Sequence, residues 1–421
     1  MDLKKKAIAV GVNVNNQPNY DDTMEELSNL IIACDLNVAG EVVQNLRGVN
    51  PSYYIGKGKI PDILLKIEKS GADLVIFNDE LSSTQVRNLE LVLNCQVIDR
   101  TKLILEIFAQ RAKTKEAKLQ VEIAHLQYML PRLIGSGESM DRQRGGSGAR
   151  NKGTGESKLE LDRRKIENKI SLLKKELDII VTQRSTQRRK RKKNTVPIIS
   201  LIGYTNAGKS TILNTLVDLY KQASNKKVTE KDMLFTTLET SVRHIQMPDN
   251  KNFIITDTVG FVRNLPHHLV EAFRSTLEES AASDLLIHVV DYSNPNYNEF
   301  IETTNSTLKE IGIDNIPSIL VYNKSDLMDI KIPKSEANQV YISAKYGIGI
   351  DLIIDLIRNY LFQDYKTCTM RIPYTEGNLV HYFNEHANIL STNYENEGTT
   401  LNMECTISDY EKYKQYIHED S

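Results

Sequence analysis

A short glycine-rich segment, Gly203-Tyr-Thr-Asn-Ala-Gly-Lys-Ser210, constrains this chain more than any other feature. It follows an apolar run, 196–202, and precedes a stretch that is compatible with a helix. A strand, a glycine loop and a helix in this order form a P-loop phosphate site. Glycines at both ends allow a tight turn that aims backbone amides at phosphates. Lys209 then supplies a positive charge to the phosphates, and Ser210 a hydroxyl ligand for Mg²⁺.

Three further motifs follow, each at the end of an apolar strand. In Asp257-Thr-Val-Gly260 the aspartate can hold a Mg²⁺-bound water, and the glycine amide can meet a γ-phosphate. In Asn323-Lys-Ser-Asp326 the last carboxylate can accept both N–H donors of a guanine edge. Adenine lacks the ring donor, and leaving a buried Asp326 unpaired costs on the order of 1–3 kcal/mol or more. Ser343-Ala-Lys345 offers the Ala344 amide to the guanine carbonyl. The four motifs in this order predict GTP as the substrate.

A mobile threonine closes over Mg²⁺ in GTPases, and the segment Leu234-Phe-Thr-Thr-Leu-Glu-Thr240 contains the candidates. Sequence spacing alone does not decide among Thr236, Thr237 and Thr240.

An unusual upstream segment, Arg144-Gly-Gly-Ser-Gly-Ala-Arg-Asn-Lys-Gly-Thr-Gly-Glu156, leads into Leu159-Glu-Leu-Asp-Arg-Arg164 and is not a general GTPase feature. With the motifs above it resembles HflX, a family of translation-associated GTPases, and the resemblance covers nearly the entire chain. The other segments that carry the resemblance are 203–210, 234–239, 257–263 and 323–326, with Ser52-Tyr-Tyr-Ile-Gly-Lys-Gly-Lys59 similar to the family's N-terminal domain.

The resemblance selects Thr237 as the closing threonine. It therefore implies Ser210 and Thr237 as Mg²⁺ ligands, and Lys209, Thr237 and Gly260 as the catalytic groups. It also implies a partner, the large ribosomal subunit and its RNA, and the splitting of stalled ribosomes, especially under stress. The predicted nucleotide-binding residues are Gly203, Tyr204, Thr205, Asn206, Ala207, Gly208, Lys209, Ser210, Phe235, Thr236, Thr237, Leu238, Glu239, Asp257, Thr258, Val259, Gly260, Asn323, Lys324, Ser325, Asp326, Ser343, Ala344 and Lys345.

The residue after the second motif bears on catalysis. GTPases of the Ras type place a water-orienting glutamine there, whereas this chain has Phe261. A phenyl ring cannot position water, so we expect slow hydrolysis by the protein alone and stimulation by a partner or a cation. Asn206 occupies a position from which related GTPases ligate a monovalent cation, which makes K⁺ a candidate. Four nearby polar residues could complete the site or be surface and packing residues: Arg263, His267, His268 and Arg274.

Residues 1–110 alternate apolar runs with helix-like stretches, which predicts a small parallel-sheet α/β domain. Gly56-Lys-Gly-Lys59 lacks the spacing and the hydroxyl of a phosphate loop, so we interpret it as a turn that enters a helix. The resemblance leaves RNA or adenine-nucleotide binding open for this domain. The predicted strands are 7–12, 39–43, 74–77 and 96–98, and the predicted helices are 22–33, 60–69 and 83–93.

Residues 111–194 are predicted to form a basic, antiparallel helical hairpin, because apolar residues recur at alternating four- and three-residue steps over 119–133 and 166–180. We expect a loop at 134–157, with Pro131 bending or closing the first arm. Segment 141–194 has 18 Lys or Arg against 7 Asp or Glu, a net charge of +11 in a chain of net −2. The basic run Arg188–Lys193 and the tip residues Arg144, Arg150 and Lys152 suit contacts with RNA phosphates. The alternatives are a solvated charged face and a disordered linker.

The GTPase domain is predicted over 195–365, and a small α+β domain over 366–421. In the latter, strands are expected at 367–372, 387–391 and 399–403, and helices at 378–385 and 409–417. Its composition does not indicate a particular activity. Its three histidines, His381, His386 and His418, are expected to be surface or capping residues.

The remaining sequence features point to a cytoplasmic chain without a membrane span. Four well-separated cysteines, Cys34, Cys95, Cys368 and Cys405, lack metal-type spacing and suit a reducing compartment. No run of about 18 apolar residues occurs, and the N-terminal apolar stretch is too short for a signal peptide. We expect a monomer. Two other functions stay open from the residues: a signalling GTPase with a protein partner, and an ATP-using RNA remodeller acting through the N-terminal domain.

Overall fold

A computed structural model describes residues 4–17, 20–143, 152–192, 196–220, 241–258, 260–263, 280–313 and 315–418. The chain divides into two compact units. The N-terminal unit comprises Met1–Arg189, Lys231–Glu239 and Val259–Thr276, and the C-terminal unit comprises Lys190–Glu230, Thr240–Thr258 and Leu277–Ser421. Several predicted site and partner residues lie outside the described residues: Arg144, Arg150, Phe235, Thr236, Thr237, Leu238, Glu239, Val259, His267, His268 and Arg274.

The N-terminal unit contains a four-stranded, fully parallel sheet with strand order β2-β1-β3-β4. Its central strands are buried and apolar, as parallel strands covered on both faces must be. The predicted α/β alternation is confirmed, and the turn at Lys57–Lys59 enters a helix at Ile60 as expected. The elements are β1 (Lys6–Val14), α1 (Tyr20–Ala33), β2 (Asn37–Leu46), α2 (Ile60–Ser70), β3 (Leu74–Phe77), α3 (Ser83–Leu93), β4 (Gln96–Asp99) and α4 (Arg100–Arg111).

Two long helices follow, α5 (Lys115–Gln143) and α6 (Lys152–Lys192). Lys115 pairs with Glu176 at 2.5 Å, and Lys169 pairs with Glu122 at 2.6 Å. Moving seven residues forward along α5 therefore moves the partner seven residues back along α6, so the two helices are antiparallel. The expected helical hairpin is present.

The expected limits of the hairpin loop were wrong. Residues 134–143 continue α5 and residues 152–157 belong to α6, so only 144–151 separate the two helices. Pro131 lies inside α5 and does not close the first arm. Gly153 and Gly155 are helical as well, although each glycine costs a helix about 1 kcal/mol relative to alanine. Once the two arms pair, each added turn gains backbone hydrogen bonds without a new nucleation cost.

The C-terminal unit is built on a seven-stranded sheet with strand order β10-β11-β9-β8-β5-β7-β6. The five inner strands are parallel, and the two edge strands, β6 and β10, are antiparallel to their neighbours. The elements are β5 (Ile198–Gly203), α7 (Lys209–Leu219), β6 (Ser241–Gln246), β7 (Asn252–Asp257), β8 (Leu285–Asp291), α8 (Tyr297–Ile311), β9 (Ser318–Asn323), β10 (Lys334–Glu336), β11 (Gln339–Tyr341) and α9 (Ile350–Leu361).

A three-stranded antiparallel sheet, in the order β12-β14-β13, completes the C-terminal unit. Two polar contacts join it to the turn between β6 and β7: Lys251 Nζ lies 2.9 Å from a Glu404 carboxylate oxygen, and Asn250 Nδ2 donates to the Ala387 carbonyl at 2.8 Å. The last predicted helix is shorter than expected, because it ends at Lys412 and a 3₁₀ turn follows. The elements are β12 (Tyr365–Pro373), α10 (Gly377–His386), β13 (Asn388–Tyr394), β14 (Gly398–Thr406) and α11 (Ile407–Lys412).

All four cysteines are free thiols, and three of them are buried. Within the described part of the chain, no helix is both long and apolar enough to cross a membrane.

Candidate nucleotide site

The described parts of the predicted nucleotide motifs follow the carboxyl ends of four parallel strands of the seven-stranded sheet. The glycine loop follows β5, Asp257 ends β7, Asn323 ends β9, and Ser343 comes two residues after β11. Parallel strands end at one edge of a sheet, and open α/β sheets bind ligands at that edge. The fold therefore brings these motifs to one edge, although up to 116 residues separate the groups that touch.

The glycine loop has the backbone that its sequence predicts. Gly203 has a φ of +137° and Gly208 a φ of +96°, a region that residues with a Cβ rarely adopt. A Cβ on Gly203 would lie 2.1 Å from the Val289 carbonyl oxygen, and one on Gly208 would lie 2.1 Å from Asn323 Nδ2. Only glycine fits at either position, so the loop can wrap closely around phosphate oxygens.

Lys209 begins α7 and is buried. Its Nζ donates to the carbonyl oxygens of Gly203 at 3.0 Å and Tyr204 at 2.8 Å. Burial lowers the pKa of Lys209 to about 8, although the Asp257 carboxylate acts in the opposite direction. His288, on β8, is also buried, and desolvation together with the nearby Lys209 charge lowers its pKa to about 4. Burial thus disfavours the charged form of both the Lys209 amine and the His288 imidazole.

Ser210 and Asp257 are two of the groups predicted around Mg²⁺, the serine as a ligand and the aspartate through a metal-bound water. Ser210 Oγ donates to Asp257 Oδ2 at 2.6 Å, so the two oxygen groups already face each other across 47 residues of sequence. Hydroxyl and carboxylate oxygens are the ligands that Mg²⁺ prefers in proteins. The donor set therefore fits Mg²⁺. Thr258, the next residue, is buried and donates its hydroxyl to the Leu201 carbonyl at 2.7 Å, which anchors this strand end to β5.

Asn323 joins the phosphate loop to the guanine-specific loops. Its Nδ2 donates to the Ala207 carbonyl at 2.9 Å, and its Oδ1 accepts from the Ala344 amide at 2.9 Å. The side chain is only 3% exposed, so water does not compete for these bonds. Sequence reasoning placed Asn323 in the site but missed this bridging contact.

Hydrogen bonds and an ion pair hold two other residues of the guanine motifs in place. Ser325 donates its hydroxyl to the Tyr322 carbonyl at 2.8 Å and its amide to the Ile342 carbonyl at 3.1 Å. Lys324 pairs with Asp291 at 2.7 Å. Asp326 is half-buried, so its carboxylate remains within reach of a ligand, whereas Ser343 and Ala344 are buried.

Two contributors were missed at the sequence level. Asp291 ends β8 and forms an ion pair with Lys324. As the acidic residue that follows the largely apolar run 285–290, it could have been identified from the sequence. Phe300, on α8, stacks on Tyr204 of the glycine loop with ring centroids 4.1 Å apart and nearly parallel planes. No signal in the sequence indicates that contact.

Three family models, each described as a GTPase, match successive parts of the chain. Residues 21–109 match the family model "GTP-binding GTPase N-terminal", residues 111–191 match "GTP-binding GTPase Middle Region", and residues 198–324 match "50S ribosome-binding GTPase".

Two relatives that match over nearly their whole length are both called "GTPase HflX". The chain is 41% identical to "GTPase HflX" of Caldanaerobacter subterraneus subsp. tengcongensis, over 98% of this chain and 94% of the relative. It is 36% identical to "GTPase HflX" of Escherichia coli K12, over 98% of this chain and 96% of the relative. Among solved structures, a GTP-binding protein from Sulfolobus solfataricus in complex with GDP is 26% identical, with 85% of this chain and 99% of that chain covered and a TM-score of 0.45.

Proposed function

The chain belongs to the HflX family of GTPases, and from that premise we propose that it binds the large ribosomal subunit and separates stalled ribosomes into subunits, particularly under stress. The observation that carries the proposal is the match of residues 198–324 to a family model described as a 50S ribosome-binding GTPase. A basic helical hairpin in the same chain supplies a second element suited to ribosomal RNA.

The proposed nucleotide chemistry follows from the arrangement of the loops. The backbone amides of the glycine loop cradle the β-phosphate, and Lys209 exchanges its two carbonyl partners for phosphate oxygens. Ser210, with Thr237, would hold Mg²⁺, which when bound would neutralise negative charge that develops during hydrolysis. Asp326 accepts from the guanine edge, and the Ala344 amide, held in place by Asn323, faces the guanine carbonyl.

The proposed hydrolysis is slow without a partner. Phe261 is 3% exposed, and its ring offers no group that can orient water. The ribosome is therefore proposed to complete the catalytic site. Asn206, which has a φ of +62°, is proposed to help bind K⁺ beside the phosphates.

The hairpin is proposed as the ribosome-contacting element. Residues 144–151 connect the two antiparallel helices in sequence, and the net charge of +11 over 141–194 attracts phosphates. Arg144, Arg150 and Lys152, in and beside that connection, are proposed to contact RNA phosphates, where arginine can also stack on unpaired bases.

Steady-state GTP hydrolysis by the full-length protein tests the proposal. The rate is measured alone, with purified large subunits, and with purified small subunits as the matched control. We expect marked stimulation by large subunits that weakens as the salt concentration rises. A rate that is already fast alone and that neither subunit changes would argue for a different partner.

A further inference from the structure

A pair of buried cysteines lies in the three-stranded sheet of the C-terminal unit. Cys368, on β12, and Cys405, on β14, have sulfur atoms 3.7 Å apart, which is within hydrogen-bond distance for two thiols. Both thiols are free, although the two residues are 37 positions apart in the sequence. The nucleotide chemistry described above uses neither of them.

The strand register brings the two sulfur atoms together. β12 and β14 are antiparallel, with Cys368 opposite Met403 and Cys405 opposite Lys366. The two cysteines are therefore diagonal neighbours, and their side chains share one face because residues two positions apart along a strand point to the same side. That face is the apolar core of the sheet, where Cys368 is 8% exposed and Cys405 is 0% exposed.

The contact makes the two thiols unequal in reactivity. A hydrogen bond from the Cys405 thiol lowers the pKa of Cys368, although burial acts in the opposite direction. The same hydrogen bond, together with burial, raises the pKa of Cys405. The thiolate is the reactive form, and Cys368 is also the more exposed residue of the two. Cys368 should therefore react first, and its small exposure admits only a small reagent.

We propose that Cys368 and Cys405 are an oxidation site, which forms a reversible disulfide when hydrogen peroxide oxidises Cys368. The Cys368 sulfur attacks one peroxide oxygen and the O–O bond breaks, which gives a sulfenic acid and one water molecule. The Cys405 sulfur then attacks the Cys368 sulfur, and the hydroxyl group leaves with the Cys405 proton as a second water molecule. Two thiols and one peroxide thus give one disulfide and two water molecules, and the peroxide accepts both electrons.

The diagonal placement favours a disulfide that is easily reduced. Diagonal residues of an antiparallel pair have Cα atoms about 7–8 Å apart, whereas disulfides usually join Cα atoms about 4.4–6.8 Å apart. Closing the bond therefore requires the two strands to shift, and the resulting strain makes the disulfide easier to reduce. Such a bond suits a switch that is oxidised while peroxide is present and is reduced again by thiols.

Peptide mapping of the full-length protein tests the inference. The native protein is treated with limiting hydrogen peroxide, the remaining thiols are alkylated, and unreduced tryptic peptides are identified by mass spectrometry. We expect peptides 367–371 and 372–412 to be joined by a disulfide within one chain, and dithiothreitol to restore both thiols in the native protein. The two thiols should be lost together, at least about tenfold faster than the thiol of Cys34, whose pKa burial raises to about 11. Absence of the linked peptides, linkage only between two chains, or a bond that dithiothreitol leaves intact would overturn the inference.

Three variants test the order of the two steps. In Cys405→Ala the second thiol is missing, so Cys368 should accumulate as a sulfenic acid that dimedone traps, whereas Cys368→Ala should keep Cys405 reduced at the same peroxide concentration. Trapping at Cys405, or at neither cysteine, would contradict the proposed order. The matched control, Cys34→Ala/Cys95→Ala, keeps the pair and should form the disulfide at the rate of the parent. A slower rate there would mean that the bond arises through the other thiols. The peptide map of the unmodified protein decides the inference if a variant does not fold.

Discussion

Asn323→Ala removes the bridge between the phosphate loop and the guanine loops. The asparagine is 3% exposed and makes two 2.9 Å hydrogen bonds, to the Ala207 carbonyl and the Ala344 amide. Each backbone group left without its buried partner costs about 1–3 kcal/mol. The variant should therefore lose about 2–6 kcal/mol of unfolding free energy in the C-terminal unit.

The same variant should also bind nucleotide more weakly, because the phosphate loop and the guanine loops must hold the phosphates and the base at a fixed separation. A loss of about 1.4 kcal/mol in aligning them corresponds to tenfold weaker binding, so we expect GDP affinity to fall at least about tenfold. The assay is calorimetric titration of GDP, since the chain contains no tryptophan to report binding by intrinsic fluorescence.

Asn250→Ala is the matched control. Asn250 donates to the carbonyls of Asn384 at 3.0 Å and Ala387 at 2.8 Å, in the same compact unit but in the turn between β6 and β7. Its loss should affect stability while GDP affinity stays within twofold of the parent. If Asn323→Ala also binds GDP within twofold of the parent, the bridge does not align the loops and the reasoning is refuted.

Three further predictions address the base, the phosphates and the hairpin. Asp326→Asn should bind GTP far more weakly, because an amide cannot accept from both guanine donors, and preference should shift toward xanthine nucleotides; equal GTP affinity in a titration would remove Asp326 from the base pocket. Burial lowers the pKa of Lys209 to about 8, and bound phosphates favour its charged form, so nucleotide binding takes up a proton. GDP affinity should therefore be about fourfold lower at pH 8.5 than at pH 7. A GDP affinity that does not change with pH would contradict this prediction. Replacing Arg144, Arg150 and Lys152 with alanine should weaken ribosome binding and reduce its salt dependence, while GTP affinity is retained. The charge-matched control replaces the exposed Lys5, Lys331 and Lys366 with alanine. Equal ribosome binding by the two triple variants would mean that the tip is only a linker.

Local sequence patterns predicted most of the secondary structure. In the N-terminal unit the strand at 74–77 was predicted at its observed bounds, and the helix at 83–93 likewise. Ser82 and Gln85 form a capping box at the start of that helix, so residues close together in the sequence determine where it begins. The hairpin loop was misjudged because its glycines favour a turn locally, whereas pairing of two long helices extends the helical structure.

The site was predictable as a set of motifs but not as a set of contacts. The glycine loop and the guanine motifs are short, and their chemistry can be inferred from residue type and spacing. The hydrogen bonds of Asn323 join residues that are 21 and 116 positions apart. Such contacts depend on strand order and helix packing, which no local pattern encodes.

Sedimentation of whole ribosomes through a density gradient tests the central proposal most directly. Ribosomes are mixed with the full-length protein and GTP, GDP or a non-hydrolysable GTP analogue, and the gradient is assayed for whole ribosomes, subunits and the protein. We predict that with GTP the whole-ribosome peak shrinks, free subunits increase and the protein sediments with the large subunit, whereas GDP leaves ribosomes whole. Ribosomes that stay whole with every nucleotide, while the protein remains at the top of the gradient, would contradict the account.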